Sequence, residues 1–355
     1  MNMKETLKTA AELFKNTDIW MDTCGEAELK YAIERGSVGA TSNPIIVGDV
    51  IKKELPYWEP VIKELIVQNP CASEDEITWL LIDEVGRQRS KLLLPVFEKY
   101  KGKKGRLSIQ TNAKYYRNTE KMVQHAVHLN SLGGNMQVKM PASGAGIAAM
   151  EESTYQGVSI NATVSFTVAQ AVAVAEAVER GLARRKAEGL PCEEMAPVCT
   201  IMVGRTDDWL KKQVNQLDIT VMPECLEWAG VAVFKEAYRI YQERGYTTRL
   251  LSAANRNVYH WSELVGGDVC QTINYQWHKR LNASGIEPQD RIHEAVPSRW
   301  MEELQKVPDF AKSFCEDGMQ PEDFQWYGGF QDTLSTFLSG YDELVCLIRK
   351  YMVRK

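Results

Sequence analysis

Short segments along the chain carry apolar side chains on one face and small or polar ones on the other. Within Met136-Gln137-Val138-Lys139-Met140-Pro141, Met136, Val138 and Met140 alternate with Gln137 and Lys139, as the two faces of a strand require. Ile19 and Met21 likewise oppose Asp22, Leu107 and Ile109 oppose Ser108 and Gln110, and Val158 and Ile160 oppose Ser159, Asn161 and Thr163. Strands are therefore expected near 18–22, 37–41, 106–110, 136–140, 157–161, 197–203, 248–253 and 269–273, with helical stretches between them. About eight such units is the number that closes a parallel barrel, where inward residues at the C-terminal strand ends line a pocket. The pattern predicts an α/β fold, a (β/α)8 TIM barrel.

The chain has 355 residues, whereas a bare barrel takes roughly 250, so about a hundred belong to added helices. Leu7, Ala10, Ala11 and Phe14 recur at helical spacing in a first helix within 1–17. The barrel is assigned to 18–284, with a helical insertion over about 47–104 marked by Val61, Ile62, Leu65, Ile66 and then Ile77, Leu81, Ile82, Val85. A C-terminal helical extension, 285–355, holds Trp300, Leu304, Phe310 and Phe314 and ends in a helix through Phe337 and Leu344. No repeat, low-complexity segment or linker separates these parts, so residues 1–355 are expected to form one domain.

A net charge of −5 speaks against a nucleic-acid surface, which needs a basic stripe. The basic turn Lys101-Gly102-Lys103-Lys104 reads as solvated lysines, with anion binding as the alternative. The N-terminus lacks a signal-peptide core, and no stretch is apolar enough to span a membrane. None of the eight cysteines forms a C-x-x-C pair, so reduced thiols and a cytoplasmic location are expected. Cys24, close to Asp22, is the one thiol placed to reach the pocket. His125 and His128 stand at i, i+3 spacing without a partner carboxylate and are expected on an outer helix, so no metal is assigned. Asp207 and Asp208 sit where a strand turns into a helix and are read as favouring the helix start.

Lys139 carries the candidate chemistry. A lysine buried in a strand wall loses its proton easily and can attack a carbonyl; the alternative is a lysine ion-paired inside the barrel. Together with Asp22, Asn43, Asn161, Thr163 and Arg205, each at a strand end, it favours the first reading.

The motifs around these residues resemble the transaldolases, class I aldolases with a Schiff-base lysine on the fourth barrel strand. They are Asp22-Thr23, Ala40-Thr41-Ser42-Asn43-Pro44, Val138-Lys139-Met140-Pro141-Ala142, Asn161-Ala162-Thr163-Val164-Ser165-Phe166 with Ala169-Gln170-Ala171, Val203-Gly204-Arg205 with Asp208-Trp209, and Ala253-Ala254-Asn255-Arg256-Asn257. They occur in the family's order between about 18 and 280. The resemblance implies that Lys139 forms the iminium, Asp22 is the general acid and base, and Thr163 positions a catalytic water. It implies further that Asn43 and Asn161 hold substrate hydroxyls, with Thr41, Thr200 and Met202 lining the pocket, and that Arg205 and Arg256 bind phosphate. No cofactor is expected, because the lysine is itself the electron sink, and the partners implied are sugar phosphates. A homodimer or larger assembly is common in the family.

Three positions depart from the transaldolase pattern. Gln110 stands where transaldolases have a glutamate, and an amide cannot relay protons; the fructose 6-phosphate aldolase group also has glutamine there, with a tyrosine holding a water. The equivalent of that tyrosine here is Met202, so Tyr115 or Tyr116 would have to supply a phenol, although packing under a loop is their expected use. Ala254 replaces a phosphate-binding serine. Three readings follow: transfer of a dihydroxyacetone unit between sugar phosphates, release of dihydroxyacetone or action on a modified sugar, and a non-catalytic sugar-phosphate-binding protein.

Overall fold

A computed structural model describes residues 5–353. Eight parallel strands close a barrel in chain order: β1 Thr17–Asp22, β2 Gly39–Thr41, β3 Arg106–Gln110, β4 Met136–Pro141, β5 Ile160–Ser165, β6 Val198–Ile201, β7 Arg249–Ser252 and β8 Val269–Ile273. Helices follow the strands as expected for a (β/α)8 fold. The insertion after β2 forms helices Pro44–Lys53, Leu55–Gln68, Glu74–Ser90 and Leu94–Lys99. Its longest member begins with a reciprocal Ser73/Glu76 capping box, which satisfies two otherwise orphaned amides. The first helix spans Thr6–Leu13; Met1–Lys4 of the expected 1–17 segment lie outside the described residues, as do 354 and 355. Among the described residues no helix is long and apolar enough to cross a membrane.

Outward strand residues such as Val138, Met140, Ile160 and Ala162 join the helices in the main core. Inside the barrel, Trp20, Val198, Leu251, Ala253 and Cys270 form an apolar plug. Gly39 is required there, because a Cβ on it would come within 2.5 Å of the Trp20 indole. The plug divides the interior. Charged residues lie beneath it at the N-terminal strand ends, and the polar residues of β1 to β6 and β8 lie above it at the C-terminal ends.

β5 begins three residues later than its alternation suggests. Gly157, at φ +89°, closes a turn, and pairing with β4 begins only at Ile160 opposite Val138, so the period-two pattern starts before the paired strand does. The final helix, Gly328–Met352, lies against Pro44–Lys53 and Glu74–Ser90 and reaches β5. The C-terminal extension therefore covers the barrel's C-terminal mouth.

Candidate active site

Strand register brings the candidate residues together. Asp22 pairs with Thr41, Gln110 with Lys139, Lys139 with Asn161, and Pro141 with Thr163. Thr41 donates its hydroxyl proton to Asp22 Oδ1 at 2.6 Å and contacts the Thr272 hydroxyl at 2.6 Å. Because the Thr41 proton is committed to the carboxylate, Thr272 is the donor in the second contact. Thr200 donates to Asn161 Oδ1 at 2.7 Å, and Asn161 Nδ2 donates to Ser108 Oγ at 2.9 Å, so both ends of that amide are fixed. Asn43 caps helix Pro44–Lys53 by accepting the Ile46 amide, which leaves its own Nδ2 free to donate.

Lys139 is 5% exposed. Burial lowers the pKa of its amine, and the Asp22 carboxylate opposes this with a smaller effect. Burial raises the pKa of the Asp22 carboxyl, against Lys139, the Thr41 hydroxyl, Arg205 and Arg256, in decreasing order. The site therefore favours a neutral amine facing a carboxyl group that can hold or give up a proton. Around them, Gln110 Oε1 and Thr163 Oγ1 are buried without partners among the described residues, which leaves hydrogen-bonding capacity for a bound molecule.

Two backbone features shape the site's wall. The β5–β6 register breaks between Ala162 and Ser165, and Val164 between them has φ +52°. A β-branched residue in that conformation is strained by roughly 1–3 kcal/mol. The bulge turns Val164 toward Phe166, Met202, Tyr327, Phe330 and Phe337, an apolar roof that includes the C-terminal extension. Met202 is thus part of this roof.

Arg205 lies in the first turn of helix Val203–Gln216, and Arg256 follows β7. Burial lowers the pKa of Arg205, as does repulsion from Arg256, so the two guanidinium groups share a field that an anion would relieve. Arg256 Nε donates to Asp208 Oδ2 at 2.9 Å. The helix and the loop after β7 meet closely here: a Cβ on Gly204 would lie 1.8 Å from the Ala254 carbonyl oxygen and 2.8 Å from Arg256 Cγ. Ala254 itself has φ +65°.

A model of the family described as transaldolase/fructose-6-phosphate aldolase matches residues 19–325. The chain belongs to that family. It is 29% identical over 233 residues to a transaldolase of Thiobacillus denitrificans, covering 63% of this chain and 64% of that one. It is 26% identical to a transaldolase of Renibacterium salmoninarum, covering 67% and 65%, and 27% identical to transaldolase 2 of Streptomyces avermitilis, covering 70% and 68%. The chain thus spans just under two thirds of the length of the first two relatives.

Several expectations change within this family frame. Asp207 does not cap its own helix. Fully buried, it accepts the Gly230 amide of helix Ala229–Arg244 at 2.8 Å and contacts His260 Nε2 at 2.7 Å. His260 Nδ1 accepts the Arg256 amide at 3.0 Å, so its proton lies on Nε2 and the pair ties the arginine loop to the barrel. Nothing in the sequence marks these residues as partners, and Thr272 was equally silent among the barrel's threonines.

Tyr115 packs on His125 and Tyr116 on Phe330, with ring centres 5.8 and 6.5 Å apart. Burial pushes the Cys24 thiol up to about 12, far from a reactive thiolate. His125 Nδ1 accepts the Asn112 amide and His128 pairs with Asp83, and no metal-holding cluster occurs among the described residues. In the basic turn, Lys104 pairs with Asp18.

Proposed function

We propose that the protein is a class I aldolase of the transaldolase type, which takes a dihydroxyacetone unit from a ketose phosphate and hands it to an aldose phosphate. The observation that carries this reading is the buried Lys139 amine, its pKa lowered by desolvation, facing Asp22 in a ring of fixed polar side chains. The neutral amine adds to the ketose carbonyl, and loss of water gives an iminium ion. Asp22 then takes the proton of the C4 hydroxyl as the C3–C4 bond breaks, and the bonding electrons enter the iminium to leave an enamine on Lys139. The aldehyde product departs, the enamine attacks the acceptor aldehyde, and Asp22 returns a proton to the new alkoxide. Hydrolysis of the second iminium frees the lysine.

Asn161 and Asn43 would hold the hydroxyls of the three-carbon fragment, Thr163 would position the water, and Arg205 and Arg256 would take the phosphate. The two guanidinium forks, already in mutual repulsion, suit a dianion. Gln110 supports a second reading, release of free dihydroxyacetone or use of a modified sugar, because this neutral amide cannot share the proton traffic with Asp22.

The test is intact mass after borohydride reduction with fructose 6-phosphate, beside Lys139→Ala. A dihydroxyacetone-sized adduct on the wild type alone supports Schiff-base chemistry, and product analysis with and without an aldehyde acceptor separates transfer from release. Labelling by dihydroxyacetone but not by fructose 6-phosphate points to a different ketose. No adduct with either would refute catalysis and leave a sugar-phosphate-binding protein.

A further inference from the structure

At the opposite end of the barrel, below the Trp20 plug, a cavity of about 270 Å³ is lined by Lys15, Lys103, Lys104, Arg106, Gln137 and Arg249, with Asp268 at its edge. Lys104 and Arg249 are neutralised by Asp18 at 2.5 and 2.6 Å, and Arg249 also meets Asp268 at 2.7 Å. The remaining three cations are not. Lys103 and Lys15 make no ion pair among the described residues, and Lys15 Nζ donates only to the Ala11 carbonyl.

Arg106 is the telling member. It is only 6% exposed, yet among the described residues its guanidinium reaches no carboxylate: Nη1 donates to the Met136 carbonyl at 3.0 Å and Nη2 to that of Glu194 at 2.6 Å, while Nε has no partner there. The Glu194 carboxylate acts on it only from beyond ion-pair distance. A buried cation without a counter-ion is costly, and an oxyanion in the cavity would relieve that cost. Gln137, also lining the cavity, is fully buried; its Nε2 is held by the Ala196 carbonyl and its Oε1 is left without a donor.

We propose that this cavity is a second anion site, distinct from the arginine pair above the plug, and that it takes a small phosphomonoester bearing a hydroxyl. The phosphate sits against Arg106 with Lys103 and Lys15 at its rim, and the hydroxyl donates to Gln137 Oε1. The lysine turn beside it then serves the site as well as the surface.

The experiment is calorimetric titration of glycerol 3-phosphate into the Arg205→Ala/Arg256→Ala protein, in which the other arginine pair is absent. Saturable binding is expected, weakened about tenfold or more by Lys103→Glu, which reverses one exposed, unpaired charge and leaves folding intact. Arg106→Lys, which keeps the charge but loses the fork, is expected to bind less tightly than the parent while melting cooperatively. Absence of saturable binding in the double variant, or affinity unmoved by Lys103→Glu, would overturn the proposal. Neither result bears on Schiff-base formation at Lys139.

Discussion

Gly204→Ala reverses an ordinary expectation. Inside a helix the change gains about 1 kcal/mol from propensity, and Gly204 lies in the first turn of helix Val203–Gln216. Here the new methyl would stand 1.8 Å from the Ala254 carbonyl oxygen. Carbon and oxygen need more than 3 Å, so the 254–256 loop must retreat by about 1.5 Å. Overpacking of this kind costs about 1–3 kcal/mol, so the net effect is a loss of up to about 2 kcal/mol. Arg256 moves with the loop, because the same methyl lies 2.8 Å from its Cγ. If Arg256 grips phosphate, losing one charge-assisted contact of about 1.5–3 kcal/mol lowers kcat/KM for a phosphorylated acceptor roughly 10- to 150-fold. An acceptor without phosphate should be affected little. The assay compares glyceraldehyde 3-phosphate with glyceraldehyde, alongside a thermal melt. A raised Tm with unchanged discrimination between the two acceptors would refute both the packing argument and the role given to Arg256.

Other outcomes follow from the electrostatics. Borohydride trapping at Lys139 should rise with pH and level off below 10.5, since burial lowers the amine's pKa. Asp22→Asn should move that inflection further down, because the carboxylate's charge raises it; an upward move in the trapping profile would contradict the pairing. Arg205→Ala should shift the acidic limb of the kcat profile upward, because the guanidinium lowers the Asp22 pKa. His260→Ala takes one hydrogen-bond donor from the buried Asp207 and should cost about 1–3 kcal/mol, read as a lower urea midpoint, with KM for phosphorylated substrate rising as the Arg256 loop loosens. The imidazole of His125 is held down to about 4 by burial and by His128. Its contribution is present above the ordinary value of 6.5 and fades as pH falls from there toward 4, by about 3 kcal/mol in all; a His125→Gln variant whose melting temperature keeps the full wild-type pH dependence would exclude this source.

The barrel and much of the candidate site are legible because strand alternation is local. One residue of register decides which face Lys139, Gln110 and Asn161 take, and neighbours two apart report it. Alternation does not report where a ladder begins, so Gly157 to Ser159 read as strand although they precede the first paired residue, Ile160. Contacts between distant segments leave no local trace. Asp207 and His260 are 53 residues apart, and each by itself looks like a helix-start acid or a stray histidine. The roof has the same character: Phe330 and Phe337 read as an amphipathic helix face, and only the fold sets that face over Val164 and Met202.

Gln110 alters the balance of charge as well as the inventory of proton carriers. A carboxylate paired in register with Lys139 would favour the ammonium form; the amide removes that pull and leaves Asp22 as the opposing charge. The amine is therefore more readily neutral, at the expense of a second proton relay. On the proposed mechanism Asp22 then serves each proton transfer, and its carboxyl is tuned from both sides, by burial upward and by Lys139, Thr41 and the two arginines downward. A phosphate dianion between those arginines would offset their charge and let the Asp22 pKa rise, favouring its acid form while phosphorylated substrate is bound. On that mechanism phosphate recognition and proton transfer become one electrostatic problem through Asp22, and Thr272, by donating to Thr41, orients the hydroxyl that holds the carboxylate.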